Sequence, residues 1–384
     1  MRLGLTSFGG PVAHLGYFRD EFVARRRSLS EDAYADLVAL CQFLPGPASS
    51  QVGIAIGISQ AGIRGALAAW TGFTLPSAFA LILFGYGIST LHSSVAHAGW
   101  LHGLKVVAVA VVALAIWGMA KSLTPDRSRG TIAILAAMFV LVWPSALGQI
   151  LAILVGGLFG LVFLKTNTIH RHSALHIPIG RVPAIFCICL FIVLLLTLPM
   201  LAAFVHSHTI ALIDSFYRTG SLVFGGGHVV LPLLQTAVVS PGWVSKDLFL
   251  AGYGTAQAVP GPLFTFSAYL GTVMQPAPSG WVGGTICLVA IYVPSFLLLI
   301  GILPFWEDLR KETAVQCALM GVNAAVVGLL LGAFYNPVWT SGILSINDFI
   351  LGLLAFGLLS LWKTPPWVVV IITALGGAFA SGRT

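Results

Sequence analysis

Long apolar runs fill this chain, and the polar positions between them gather in short connecting segments. Several runs approach the ~20 residues a helix needs to cross a hydrocarbon core, so the pattern predicts membrane helices throughout. Within the runs, Pro and Gly interrupt the apolar pattern at matching places in two halves. Gln42-Phe43-Leu44-Pro45-Gly46-Pro47 returns as Gln257-Ala258-Val259-Pro260-Gly261-Pro262, an offset of 215 (257 − 42). Each copy follows a glycine-rich partner, Phe8-Gly9-Gly10-Pro11 and Phe224-Gly225-Gly226-Gly227, offset by 216 (224 − 8). Pro76-Ser77 matches Pro294-Ser295, and Gly103-Leu104-Lys105 matches Gly321-Val322-Asn323, both at 218 (294 − 76). Gly156-Gly157 matches Gly376-Gly377 at 220 (376 − 156).

A slowly drifting offset over a whole half is the mark of an internal repeat. The expected fold is an all-α polytopic membrane protein made of two inverted-topology repeats, residues 1–165 and 210–384, with discontinuous or re-entrant helices at the Gly/Pro breaks. Residues 166–209 supply a polar cytoplasmic loop and an uncharged run, Pro183 to Val205, whose single crossing inverts the second copy. The first copy starts at Met1, whereas the second has a half-helix, Thr209 to Tyr217, ahead of Arg218 and Gly220, the counterparts of Arg2 and Gly4. The first repeat therefore reads as lacking its N-terminal half-helix.

Composition agrees with a membrane protein: 58% of the 384 residues are hydrophobic and 8% charged, against roughly 25% charged in a soluble domain. The net charge of +7 has no basic stripe with interleaved aromatics, which excludes nucleic acid as a partner. If the break segments are re-entrant hairpins and the other runs cross, the chain makes nine crossings, and nearly all loop arginines and lysines fall on one side. Arg25–Arg27, Arg64, Arg127, Arg129 and Arg171 are among them, with only Lys246 and Arg383 opposite. Such a bias places the larger group in the cytoplasm.

The five cysteines lie in apolar stretches without CxxC spacing and read as small core residues. His170, His172 and His176 read as a solvated loop, because no Cys or carboxylate completes a ligand set. No metal or other cofactor is expected. The spans hold no HExxH, GxSxG or paired catalytic carboxylates, so a transporter is expected rather than an enzyme.

A helix stopped inside a membrane exposes N–H groups and a partial positive charge at the start of the next half-helix. Glycine permits the tight path there and lets a ligand approach the amides. Ser49, Ser50 and Gln51 follow the first Pro-Gly-Pro and can donate to a tetrahedral oxyanion; Thr265 follows the second. The candidate substrate site is Phe8, Gly9, Gly10, Pro11, Gln42, Pro45, Gly46, Pro47, Ser49, Ser50 and Gln51 from the first half. From the second come Phe224, Gly225, Gly226, Gly227, Gln257, Pro260, Gly261, Pro262 and Thr265. His14 and His228 are the titratable residues nearest the breaks, and Lys105 with its repeat mate Asn323 adds polar positions within crossing runs. Lys105 could equally snorkel to the outer interface. The acidic residues, Asp214 among them, are read as lying in loops or at helix ends, which favours an anionic or neutral substrate and leaves proton coupling without a carrier.

The stretch Thr6-Ser7-Phe8-Gly9-Gly10-Pro11-Val12-Ala13-His14-Leu15-Gly16-Tyr17-Phe18, with Ala39-Leu40-Cys41-Gln42-Phe43-Leu44-Pro45-Gly46-Pro47, resembles the chromate ion transporter family. So do Phe224-Gly225-Gly226-Gly227-His228-Val229-Val230-Leu231-Pro232 and Val259-Pro260-Gly261-Pro262. The resemblance implies a secondary transporter of the inner membrane that exports chromate and confers chromate resistance. Its partners would be chromate or a similar oxyanion such as sulfate, and the lipid bilayer, with room for a homodimer.

Overall fold

The computed structural model describes residues 2–8, 10–90, 99–165, 179–224, 227–309 and 312–381. Gly9, Gly225, Gly226 and the histidine-rich loop from His170 to His176 lie outside them. The described residues form helices and connecting segments and contain no strand. In chain order the helices are α1 (Arg2–Thr6), α2 (Gly10–Arg19, continued by a π-helical turn, Asp20–Arg25), α3 (Glu31–Phe43), α4 (Ala48–Thr90) and α5 (Gly99–Leu123). Next come α6 (Arg127–Val142), α7 (Ala146–Phe163), α8 (Arg181–Val205), α9 (His208–Leu222), α10 (Val230–Val238) and α11 (Lys246–Ala256). The chain ends with α12 (Phe266–Val273), α13 (Gly280–Ile302), α14 (Trp306–Leu309), α15 (Thr313–Ala333), α16 (Thr340–Gly342), α17 (Ile346–Ser360) and α18 (Pro366–Ser381).

Local sequence explains where these helices start. Ser30, Asp126, Ser145, Ser245 and Ser345 are extended N-cap residues whose side chains accept the N–H three residues on, at α3, α6, α7, α11 and α17. Each such cap satisfies one orphan donor of the first turn, worth about 1 kcal/mol. Inside α4 the backbone leaves helical geometry at Ala61 (φ −147°) and Gly62 (φ 59°), dividing it into 48–60 and 63–90.

Among the described residues, five segments are long and apolar enough to cross a membrane: Ala48–Ser89, Gly99–Leu123, Arg181–Val205, Gly280–Phe305 and Thr313–Gly342. The molecule is an integral, multi-pass membrane protein. In α8 only 6% of the most apolar window is buried, so its Val, Leu, Ile and Phe side chains face outward, as suits a helix bathed in lipid. That environment corrects one expectation. Cys41, Cys287 and Cys317 are buried, but Cys187 is half-buried and Cys189 exposed, because both ride on α8.

The halves interlock. Helix α5 packs on α17 and α18, and α15 packs on α6 and α7, so the central helix of each half is clasped by the last pair of the other. A Cβ at Gly377 would collide with Gly99 and Gly103, and a Cβ at Gly160 with Cys317 and Gly321. Gly99 and Gly103 stand 218 residues before Cys317 and Gly321 (317 − 99). In packing, then, Gly160 rather than Gly157 is the counterpart of Gly377, at 217 (377 − 160), which brings this end of the chain into the offset of the rest.

Candidate functional site

Four interruptions converge where the halves meet: residues 7–8 after α1, 44–47 between α3 and α4, 223–224 after α9, and 257–262 between α11 and α12. Gly46 takes φ +125° and Gly261 φ +110°, conformations that L side chains rarely adopt. The Gly46 N–H donates to the Val223 carbonyl at 2.7 Å, and the Gly261 N–H to the Ser7 carbonyl at 2.9 Å. Each break in one half is thus tied to a break in the other. A Cβ at Gly46 would sit 2.5 Å from Ser295 Oγ, and one at Gly261 2.7 Å from Ser77 Oγ, so each left-handed glycine also abuts the Pro-Ser step of the opposite copy. A Cβ at Gly10 would lie 3.9 Å from His228 Nε2, which sets the start of α2 beside the His228 side chain.

Around the first pair of breaks the lining is polar and buried. His14, Ser49, Ser50 and Gln51 are at most 3% exposed. His14 Nε2 lies 3.2 Å from the Ser7 carbonyl and Nδ1 3.3 Å from Ser49 Oγ. A carbonyl only accepts, so Nε2 carries the proton, and in the neutral ring Nδ1 accepts from the Ser49 hydroxyl. The Gln51 amide donates to the Pro45 carbonyl at 2.8 Å and fixes the turn. Ser50 Oγ lies 3.5 Å from the Tyr292 hydroxyl of the other half. Ser7 Oγ, Ser295 Oγ and Gln51 Oε1 are buried with no hydrogen-bond partner among the described residues. Buried polar atoms are normally satisfied, so orphans gathered at one junction mark a place suited to a polar guest.

The second pair of breaks is better satisfied. Thr265 Oγ1 donates to the Pro262 carbonyl at 2.8 Å, His228 Nδ1 lies 2.8 Å from the Tyr253 hydroxyl, and Gln257 keeps a buried, unpartnered Nε2. Pro47 and Pro262 are buried, while Phe8, Pro45, Phe224 and Pro260 are half-buried. Gly227 opens a short 3-10 turn ahead of α10, and Pro11 lies in the first turn of α2.

Three expected site residues stand apart. Gln42 is exposed on α3. Lys105 is paired rather than free: its ammonium lies 2.8 Å from Asp247 at the start of α11, tying α5 to the second half. One turn earlier on α5, His102 meets Asp348 of α17, also at 2.8 Å. Asn323 keeps a buried Oδ1 without a partner among the described residues, within α15.

Sequence reasoning missed Tyr292, Ser295, Ser77 and Thr74. The duplicated Pro-Ser steps were visible signals for two of them, but the pairing across halves was not. It also misplaced Asp214, which is not at a helix end: it sits within α9, 6% exposed, paired with Arg218 on the next turn. The polar residues of α9 share one helix with apolar ones, so the run reads as a boundary until its partners are seen. Outside the membrane segments, the Arg129 backbone N–H and guanidinium hold the Asp126 carboxylate below its ordinary range, and Arg26 and Arg25 do the same for Glu21.

The family described as Chromate transporter matches residues 1–161 and 210–378. A chromate transport protein of Pseudomonas aeruginosa is 27% identical over 390 residues, covering 98% of this chain and 89% of the relative. A probable chromate transport protein of Synechococcus elongatus is 25% identical, covering 98% and 93%. A chromate transport protein of Cupriavidus metallidurans is 24% identical, covering 98% and 90%. No solved structure matches.

Proposed function

Since the chain belongs to the chromate transporter family, we propose that it is a secondary transporter that exports chromate from the cytoplasm across the inner membrane, with the four converging breaks as the substrate site. The observation that carries this reading is the reciprocal closure of the breaks, Gly46 on Val223 and Gly261 on Ser7. Half-helices whose N-termini meet at a junction between repeats are the arrangement by which transporters hold anions near mid-membrane. The buried hydroxyls of Ser7 and Ser295, short of partners, support an oxyanion as the guest.

In this reading residues 1–165 and 210–384 are inverted copies joined by α8, and nine helices cross. The crossings are 63–90, α5, α6, α7, α8, α13, α15, α17 and α18. Alternating access would come from rocking the clasped helices about the fixed junction. The side of Arg25–Arg27 and Arg127–Arg129 is cytoplasmic under the positive-inside rule. No catalytic step is assigned to the molecule.

Uptake of chromate into everted inner-membrane vesicles, with sulfate as competitor, tests the reading. Saturable, protein-dependent chromate accumulation supports export. Accumulation only in right-side-out vesicles would reverse the direction, and uptake of sulfate alone would reassign the substrate.

A further inference from the structure

A small cavity of about 60 Å³ lies between the halves, one turn from the third break, and includes Gln149 of α7 with Ser215, Arg218, Thr219 and Leu222 of α9. That volume admits a few waters or one small polyatomic ion. Leu222 adjoins Val223, whose carbonyl closes the Gly46 turn, so the lining of the cavity ends one residue short of the third break. Arg218 directs one guanidinium N–H at Asp214, four residues earlier on the same helix, and a guanidinium has five. Gln149 is 7% exposed, and its amide donates to Thr236 Oγ1 at 2.7 Å and to the Pro232 carbonyl at 3.1 Å. Both N–H groups of that amide are thus engaged, and the Thr219 hydroxyl donates to the Ser215 carbonyl at 2.8 Å, so the Arg218 guanidinium, with N–H groups to spare beside so small a space, is the donor that an oxyanion would meet.

The cavity also has a counterpart. A larger cavity, about 570 Å³, is lined by Arg2, Leu3, Thr6, Tyr17 and Glu21 among others. Adding 216 to these gives Arg218, Thr219, Leu222, Leu233 and Ala237, all of which line the smaller one. The two cavities therefore carry an arginine at the same repeat position.

We propose that the Arg218 cavity is an oxyanion-binding station on the route to the breaks, with Asp214 as the counter-ion that the anion displaces. This rests on the oxyanion-transport reading. A charge buried in a membrane segment needs a partner; Asp214 supplies one when the station is empty. Because the carboxylate competes with the anion for the guanidinium, occupancy is brief, and a conduction site must release what it binds.

Chromate uptake kinetics in vesicles matched for protein level, together with titration of purified protein with chromate and with sulfate, test the station. Arg218→Gln alone leaves Asp214 buried and unpaired and can fail to fold, so the decisive variant is Arg218→Gln combined with Asp214→Asn. The expectation is a KM and a Kd raised about tenfold or more at a protein level near that of the wild type. Asp214→Asn alone should lower both KM and the maximal rate, a split that a purely structural pair would not produce. A wild-type KM and Kd in the double variant would overturn the station while leaving chromate transport standing. A wild-type protein that moves no chromate yet binds sulfate through Arg218 would remove the chromate reading and keep the station, whereas binding of neither oxyanion would remove the station.

Discussion

The Gly46 N–H donates to the carbonyl of Val223, 177 positions along the chain (223 − 46), and the equivalent pair, Gly261 and Ser7, repeats the bond in reverse. A turn at membrane depth has no water to satisfy its backbone, so an unpaired amide there costs several kcal/mol. Neither half satisfies its own turn glycine amide. Two copies in contact satisfy each other, which gives a physical reason for finding both in one chain.

Gly46→Leu and Gly261→Leu are expected to abolish transport while membrane insertion persists. Each side chain would need a backbone conformation costing about 1–3 kcal/mol and would strike Ser295 or Ser77. Gly46→Ala should retain more activity than Gly46→Leu. Vesicle uptake normalised to protein level checks this, and normal uptake in both leucine variants would reduce the breaks to packing kinks.

Two glutamines close to one break should behave differently. Gln51→Leu leaves the Pro45 carbonyl without its donor and should destabilise the protein by about 1–3 kcal/mol, with transport lowered. Gln42→Leu, on the exposed face of α3, should be close to wild type. Thermal unfolding in detergent alongside uptake separates them; equal losses in both would contradict the placement of Gln42.

Lys105→Gln should leave the chromate KM unchanged, because its ammonium is engaged by Asp247 rather than by a break. Asp247 is 58% exposed, so the pair is screened and its coupling in a double-mutant cycle with Asp247→Asn should be about 1 kcal/mol or less. A KM raised several-fold in Lys105→Gln would return Lys105 to the substrate pathway.

Topology is open to direct measurement. In a cysteine-free background, a single cysteine replacing exposed Ser128 should react with an impermeant maleimide only from the cytoplasm, and one replacing Ser207 only from outside. Labelling of both from the same side would rule out the nine-crossing inverted arrangement.

The sequence by itself determined that this is a helical membrane protein with two matched halves and breaks at Gly46 and Gly261, because apolar length, Pro and Gly act locally and leave a periodic trace. It also carried the family resemblance. Contacts between residues some two hundred positions apart leave no such trace, so tertiary structure alone decided the rest. It closed each break on the opposite half and set Tyr292, Ser295 and Ser77 beside the turns. It sent Gln42 to the surface, gave Lys105 to Asp247, and moved Asp214 from an assumed helix end to a buried pair with Arg218. Which polar residues face the junction depends on how helices pack and rotate against partners from the other copy, and a single chain read in order does not contain that rotation.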